Sequence, residues 1–262
     1  MYHIMYRSNK SVLGDERGLA NKFTNAVGKT VRAIIGPPLK VIEQREREMN
    51  HFAKGIGFYK LFWIFFLGCF FGVVVEEIFC FATMYIIECR SGLVLGPFNP
   101  VYGFGALALT LALYPLRYKN DFFILVGGTV VGASIEYLCS YIQEKVLGTV
   151  SWDYSHLPFN INGRVCLLYS MFWGVLAIIW MKWLYPRMSA LILHIPNRFG
   201  RAFTWVLVLY MIVNMAISAA AVERWTDRAK GIEPKTKFEQ TLDNWFPNST
   251  MEFIYPHMEF VD

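Results

Sequence analysis

ECRSGLVLGPFNPVY, residues Glu88–Tyr102, decides the reading, because the chain contains its kernel twice. Pro97-Phe98-Asn99 returns as Pro158-Phe159-Asn160. Each kernel follows a long apolar segment with the same internal spacing: a glycine, a second glycine four residues on, and a glutamate four residues further. These are Gly68, Gly72 and Glu76 in the first segment, and Gly128, Gly132 and Glu136 in the second. A glycine also follows each kernel, Gly103 and Gly163. The pattern reads as a tandem duplication.

Around it the apolar residues come in long runs and charge is sparse. Charged residues make up 17% of the 262, against roughly a quarter in a soluble domain. Such runs predict membrane helices rather than a soluble core. The expected fold is an all-α membrane protein with about five spans, near residues 58–84, 101–116, 122–143, 165–184 and 202–222. Repeats at 58–116 and 122–184 are then followed by one extra span. The second span is short for a hydrocarbon core of about 30 Å and enters through Pro100.

Residues 1–57 read as a basic cytoplasmic segment. Leu19, Phe23, Val27, Val31 and Ile34 recur at helical spacing with Lys22, Lys29 and Arg32 off the stripe, the pattern of an amphipathic helix on a membrane surface. Gly36-Pro37-Pro38 ends it. A second, charge-rich helix is expected from about Leu39 to Phe52, on the membrane or docked on the protein itself. The net charge of +5 comes mainly from this segment. Beside membrane spans it points to anionic lipid, not nucleic acid. Lys and Arg crowd this segment and the turns after the second and fourth spans, against Arg90, Lys145 and Arg164 on the other side. That bias puts the N-terminus inside, as in a bacterial cytoplasmic membrane protein. Both repeats then run in–out–in, related by an axis along the membrane normal. The 58–222 membrane domain is followed by a polar tail, 223–262, expected outside and able to dock there through its aromatic patches.

Glu76, Glu77 and Glu136 sit within apolar helices, in the outer half of the bilayer. A charge at that depth costs a few kcal/mol on insertion scales, so it faces a partner or a wet cavity. The small-xxx-small pairs Gly68/Gly72 and Gly128/Gly132 let helices approach closely. They put Glu76 and Glu136 one turn beyond, on the same face. Two readings stand: a site for a cation, a proton or a polar headgroup, or a structural contact. The outer loops add polar groups. The first, Leu95–Gly105, has two prolines and three glycines, which preclude a regular helix. Backbone of that kind at membrane depth is buried in protein or lines a cavity. This loop supplies Asn99 and Tyr102. The second loop gathers Trp152, Asp153, Asn160, Asn162 and Arg164. Arg164 is placed to pair with Asp153 or Glu136, or to hold an anionic headgroup. All ten residues converge on one side, so a substrate-binding site is expected at the outer face between the repeats.

The five cysteines show no metal-ligand spacing, and GxxxxGK[ST], HExxH, GxSxG and CxxC are all absent. No catalytic residue, metal or cofactor is therefore expected, and the chain is read as a non-enzyme.

These motifs carry a resemblance. The span with Gly68, Gly72 and Glu76-Glu77, GPFNPVYGFGAL (96–107), SIEY (134–137), WDYSHLPFNINGRVCLLYSMFWG (152–174) and LDNWFPNSTM (242–251) resemble the bacterial integral-membrane family called putative ABC-transporter type IV, over roughly residues 58–255. The resemblance implies a permease-like component and a separate ATPase subunit, and carries over no site residues. The basic turn between Lys182 and Arg201 is the cytoplasmic loop of useful length for such a partner. The expected function is thus a permease-like transport component, with the lipid bilayer, a separate ATPase and further copies of itself as partners. The alternative is an interaction or regulatory scaffold, or a lipid-binding protein without transport activity. An intramembrane lipid enzyme using Glu136 or Asp153 ranks last.

Overall fold

The structure is a computed structural model that describes residues 38–260. The amphipathic helix expected over 19–34 lies outside the described residues. The elements in order are α1 (Leu39–Glu48), α2 (Phe58–Met84), α3 (Pro100–Leu113, continued by a 3-10 turn to Leu116), α4 (Asp121–Leu147), α5 (Leu167–Ile179), α6 (Tyr185–Ile192), α7 (Asn197–Ala229), α8 (Lys237–Trp245) and α9 (Asn248–Ile254). Two small strand pairs complete it. β2 (Asn160–Ile161) and β3 (Val165–Cys166) form a hairpin, and β1 (Thr149–Val150) pairs antiparallel with β4 (Glu259–Phe260).

Among the described residues, four helices are long and apolar enough to cross a membrane: α2, α4, the run Leu167–Ile192 and α7. The fifth expected span is the shorter apolar helix Pro100–Leu116. Its start follows from local chemistry. Pro100 occupies the first turn, where its missing N–H costs nothing, and the Asn99 side chain caps the Val101 N–H at 3.1 Å.

The helices pair through glycine. A Cβ added to Gly68 would stand 3.3 Å from the Gly103 Cα and from the Tyr102 carbonyl oxygen; one added to Gly128 would stand 3.3 Å from the Gly174 Cα and from the Trp173 carbonyl oxygen. The partner glycines are equally tight. A Cβ on Gly103 would meet the Phe65 carbonyl at 2.8 Å, and one on Gly174 the Leu125 carbonyl at 2.8 Å. One turn further along, Tyr102 covers Gly72 and Trp173 covers Gly132. So α2 with α3, and α4 with α5, close by the same set of contacts. The two hairpins join where Trp180 Nε1 donates to Thr110 Oγ1 at 2.9 Å and where the Trp173 ring reaches Gly105. Helix α7 is tied to α2 by Trp63 Nε1 donating to Thr204 Oγ1 at 3.0 Å.

The fourth span differs from its expected range. It continues past 184 to Ile192, so the basic turn expected between Lys182 and Arg201 is largely helix, and the connection to α7 is only residues 193–196. Pro186 does not end it. A proline in a helix forfeits one hydrogen bond of the ladder. Here it follows directly on a π-turn, Trp180–Leu184, where the ladder is already shifting register.

At one end α1 is docked on the protein. Ile42 and Glu46 are buried, and the Glu46 carboxylate pairs with Lys60, which is fully buried near the start of α2. Glu43 accepts from the Tyr114 and Tyr118 hydroxyls, at 2.7 and 2.9 Å, and from Arg117 Nε at 2.9 Å. At the opposite end the tail packs on the interhelical loops. Asp243 takes a bidentate grip from Arg224, at 2.8 and 3.2 Å, and pairs with Arg228. Leu242, Phe246, Met251 and Tyr255 bury their side chains against Val222 and Trp225 of α7.

Two expectations follow. Gly128→Leu and Gly68→Leu overpack an interface with no spare volume and lose about 1–3 kcal/mol each, whereas Gly57→Ala, whose added Cβ has only one neighbour at 3.6 Å, leaves the melting temperature in detergent unchanged. The tail is acid-sensitive. Hydrogen bonds from Arg224, then Arg228, hold the Asp243 carboxyl below the usual carboxylate range. A depressed carboxylate stabilises the folded state above its unfolded pKa, near 3.9, and that stability is lost as pH falls through the lower folded value. Hydrogen exchange over residues 237–254, corrected for the intrinsic rate, should therefore rise below about pH 4, and Asp243→Asn should produce the same loosening at pH 7.

Candidate functional site

The glycine contacts place the two interior carboxylates in matching positions. Tyr102, lying over Gly72, donates a hydrogen bond from its hydroxyl to Glu76. Trp173, lying over Gly132, donates its Nε1–H to Glu136 at 3.1 Å, and Tyr154 adds a hydroxyl at 3.0 Å. Both carboxylates face the helix interface. Glu77, the next residue on α2, points outward and is exposed.

The hairpins differ in one respect. Trp173 is the seventh residue of α5, but Tyr102 is only the third of α3. Helix α3 therefore starts about one turn, roughly 6 Å, later than its counterpart. The space is taken by the loop 85–99, which descends until the Asn99 N–H donates to the Cys69 carbonyl at 3.0 Å. Its backbone groups are satisfied by α7. Asn214, fully buried, donates to the Leu95 carbonyl at 2.7 Å and accepts from the Leu95 N–H at 3.2 Å, and Ser218 accepts from the Val94 N–H at 2.9 Å. The Val94 and Leu95 backbone groups are thus bonded to protein, as an apolar surrounding requires, although residues 85–87 and 95–97 of the loop are exposed.

Beside this loop lies a cavity of about 680 Å³, walled by α3, α4 and α7. That volume falls within the range of about 300–1,000 Å³ common for small-molecule sites. Glu76, Arg90, Asn99, Tyr102, Trp152 and His257 line its loop end. Apolar side chains such as Phe104, Leu107 and Leu111 of α3, Leu138 and Ile142 of α4, and Met215 of α7 line the remainder. The tail segment 254–258 forms part of the wall. Tyr255 Oη donates to the Gly92 carbonyl at 3.2 Å, and His257 Nε2 lies 2.8 Å from Glu88. A second cavity, about 470 Å³ at the α1 end, is lined by Trp63, Phe203 and other mainly apolar groups.

Of the ten residues singled out from the sequence, Glu76, Asn99, Tyr102 and Trp152 reach the larger cavity; Glu77, Glu136, Asp153, Asn160, Asn162 and Arg164 do not line it. The last four build the second loop. Asp153 accepts from the Ser155 N–H at 2.8 Å and hydroxyl at 2.7 Å, and these bonds hold its carboxyl below the usual range. Asn160 donates to the Leu157 carbonyl at 2.7 Å and accepts from the Gly163 N–H at 3.1 Å. Asn162 takes a left-handed conformation (φ 53°) and donates to the Tyr137 hydroxyl at 2.9 Å. Trp152 Nε1 donates to the Arg164 carbonyl at 3.0 Å.

Arg164 pairs with neither Asp153 nor Glu136. It pairs with Glu144, donates to Ser140 Oγ at 3.1 Å, and stacks near Tyr137 and Tyr141. The reason is helical spacing. Glu136, Ser140 and Glu144 share one face of α4 at four-residue intervals. Glu136 is already held by Tyr154 and Trp173, and Asp153 by its own turn.

The sequence reading did not place Arg90 or His257 in the site. Arg90 lines the cavity, with Nη2 3.1 Å from Glu88 and Nη1 3.9 Å from Glu76. Its signal was available: it is the one basic residue of the first outer loop. No sequence spacing links His257 to Glu88, because the tail's return to that loop is purely tertiary.

With this geometry in view, the family comparison is informative. The family model described as Putative ABC-transporter type IV matches residues 63–219, more than half of the chain and all of α3, α4 and α5. Neither the curated proteins nor the solved structures provide a match. The matched range covers most of α2 and α7, all of α3, α4 and α5 and the descending loop, and on that match the chain belongs to the family described as Putative ABC-transporter type IV.

Proposed function

We propose that the chain is a permease-like subunit of a transporter, working with a separate ATPase and taking its substrate in the cavity between the two hairpins. One observation carries this reading. A cavity of ligand size stands at the seam of the two hairpins, and its charged and hydrogen-bonding groups are gathered at one end. Family membership supports a transport role.

In this reading the chain has five spans, the fifth being α3, and the matching contacts at Gly68 and Gly128 support descent from a parallel duplication. The α1 end faces the cytoplasm of a bacterial cell. Lys40, Arg45, Arg47 and Lys54 are exposed there, which agrees with the retention of basic residues on that side. The same end, with α1 seated on Tyr114, Arg117 and Lys60, is the surface we assign to the ATPase. The substrate contacts are Glu76, Arg90, Asn99, Tyr102 and Trp152. Glu136, Asp153, Asn160, Asn162 and Arg164 serve as the frame that holds the second loop against α4.

The test begins with purification in mild detergent and identification of co-purifying subunits. An ATPase should accompany the chain in fixed stoichiometry and hydrolyse ATP faster with it than without it. Glu76→Gln should lower the substrate-stimulated part of that rate on the order of tenfold, the scale of one charge-assisted hydrogen bond, while the complex still assembles. A pure, well-folded chain that neither binds nor stimulates any ATPase from its own membranes would sink the transport reading.

A further inference from the structure

We infer that the cavity takes an amphiphile with a zwitterionic head, its acidic oxygen on Arg90, its ammonium on Glu76 and its alkyl chain running down between α3, α4 and α7. This names the substrate class of the site proposed above, and rests on that proposal only for calling the ligand a substrate.

The first argument is the division of polarity along the cavity. From Tyr102 to Leu111 along α3 is nine residues, about 13 Å of helix. The α3 positions lining the cavity beyond Tyr102 are Phe104, Leu107, Ala108 and Leu111. A small polar solute would satisfy the head and leave this wall unmatched. A hydrocarbon would match the wall and leave Arg90 and Glu76 facing an apolar ligand, which is costly for charged groups. A molecule with a polar head and an apolar chain matches both.

The second argument is the state of the charged groups. Arg90 is under-bonded. Nη2 reaches Glu88 at 3.1 Å, Nη1 stands 3.9 Å from Glu76, beyond hydrogen-bond range, and Nε is buried with no acceptor. Guanidinium offers a planar fork suited to phosphate or carboxylate oxygens. Glu76 accepts from Tyr102, and Arg90 is its nearest cation among the described residues. The site thus presents one guanidinium between two carboxylates, Glu88 at 3.1 Å and Glu76 at 3.9 Å, with Arg90 Nε and the looser Glu76 contact leaving bonding capacity. A purely anionic head would supply Arg90 and repel Glu76; a cationic head would do the reverse. A head carrying both charges on a short linker serves both.

The third argument is the cover over the loop end; further along the chamber is open between the helices, with Phe104, Leu111, Leu138 and Ile142 exposed. The late start of α3 opens the chamber, and the tail segment 254–258 closes over the loop end, tied to one hairpin through Gly92 and Glu88 and to the other through the β1–β4 pair. A head seated at Arg90 lies under that strap, and its chain points into the membrane-embedded part.

The probe is radiolabelled lysophosphatidylethanolamine, added to the purified full-length protein in maltoside detergent. Lysophosphatidylglycerol and free phosphoethanolamine serve as competitors. Saturable binding of the zwitterionic lysolipid is expected, with lysophosphatidylglycerol competing about tenfold more weakly and phosphoethanolamine not at all at equal concentration. Arg90→Gln and Glu76→Gln should each weaken binding by about tenfold. Ala108→Phe and Ala219→Phe, which fill the chamber from facing helices, should abolish it without lowering the melting temperature. Undiminished binding in either filling variant overturns the inference, as does displacement by phosphoethanolamine as effective as by lysolipid. Equal affinity for lysophosphatidylglycerol overturns it too. The assay contains no ATPase, so the two proposals fail separately. Lysolipid binding without ATPase stimulation sinks the transport reading alone, and ATPase stimulation without lysolipid binding sinks this one alone.

Discussion

The close approach of α2 to α3 and of α4 to α5 is the constraint on which the rest depends. At Gly68, Gly103, Gly128 and Gly174 a side chain of any size would meet backbone of the opposite helix. Membrane helices gain little from hydrophobic exclusion by one another, since lipid is equally apolar, and are held by packing and hydrogen bonds. Glycine-to-glycine contact provides the packing. It also decides which residue lies one turn along: an aromatic with a polar hydrogen, Tyr102 or Trp173, over a second glycine. Only that geometry brings a hydroxyl or an indole N–H to Glu76 or Glu136 within the helix pair. Without the glycines the carboxylates would face lipid or demand another partner.

The two hairpins use this arrangement to opposite ends. In the second, α5 continues upward past Trp173 and its loop is tightly bonded: Asp153, Asn160 and Asn162 all spend their side chains on the loop itself or on Tyr137, and Arg164 is absorbed by Glu144, Ser140 and two tyrosine faces. In the first, Pro97 and Pro100 delay the helix by about a turn, the loop sinks to the level of Cys69, and a chamber remains. The cavity is therefore a consequence of helix termination. Its polar end is polar because the loop brings Arg90 and Asn99 down to the depth of Glu76 and Tyr102.

Much of this was legible in the sequence. The glycine–glycine–glutamate spacing foretold both helix interfaces and the inward direction of Glu76 and Glu136, because four-residue spacing fixes a helix face regardless of context. The prolines and glycines of residues 95–105 foretold the short span, but the irregular loop they predicted ends at Asn99: Pro100–Gly105, Tyr102 included, is already regular helix, because Pro100 fits the first helical position and Asn99 caps it. What stayed hidden depends on contacts distant in sequence. Arg164 was read toward Glu136 or Asp153, and only the packed loop shows Glu144 to be within reach. The run of α5 and α6 through Pro186 was read as ending near residue 184, since no sequence rule announces the π-turn that accommodates the proline. The tail's return to Glu88 and Gly92 leaves no periodic trace at all.

The charges bring these threads together. Each outer loop carries an arginine paired with a carboxylate, Glu88 for Arg90 and Glu144 for Arg164, and each arginine has a buried Nε without an acceptor. Arg164 compensates with a carboxylate, a hydroxyl and two aromatic rings. Arg90 has Glu88 and a distant Glu76, and Glu88 is shared with His257 of the tail. An under-bonded guanidinium is costly in a part-buried position; Arg90 counters the charges of Glu88 and Glu76, while Asn214, Tyr210 and Ser218 secure the loop backbone. In the reading proposed above, the capacity left on Arg90 beside the open chamber serves a group that arrives from outside the chain, and Glu76 across about 4 Å meets the opposite charge on that group.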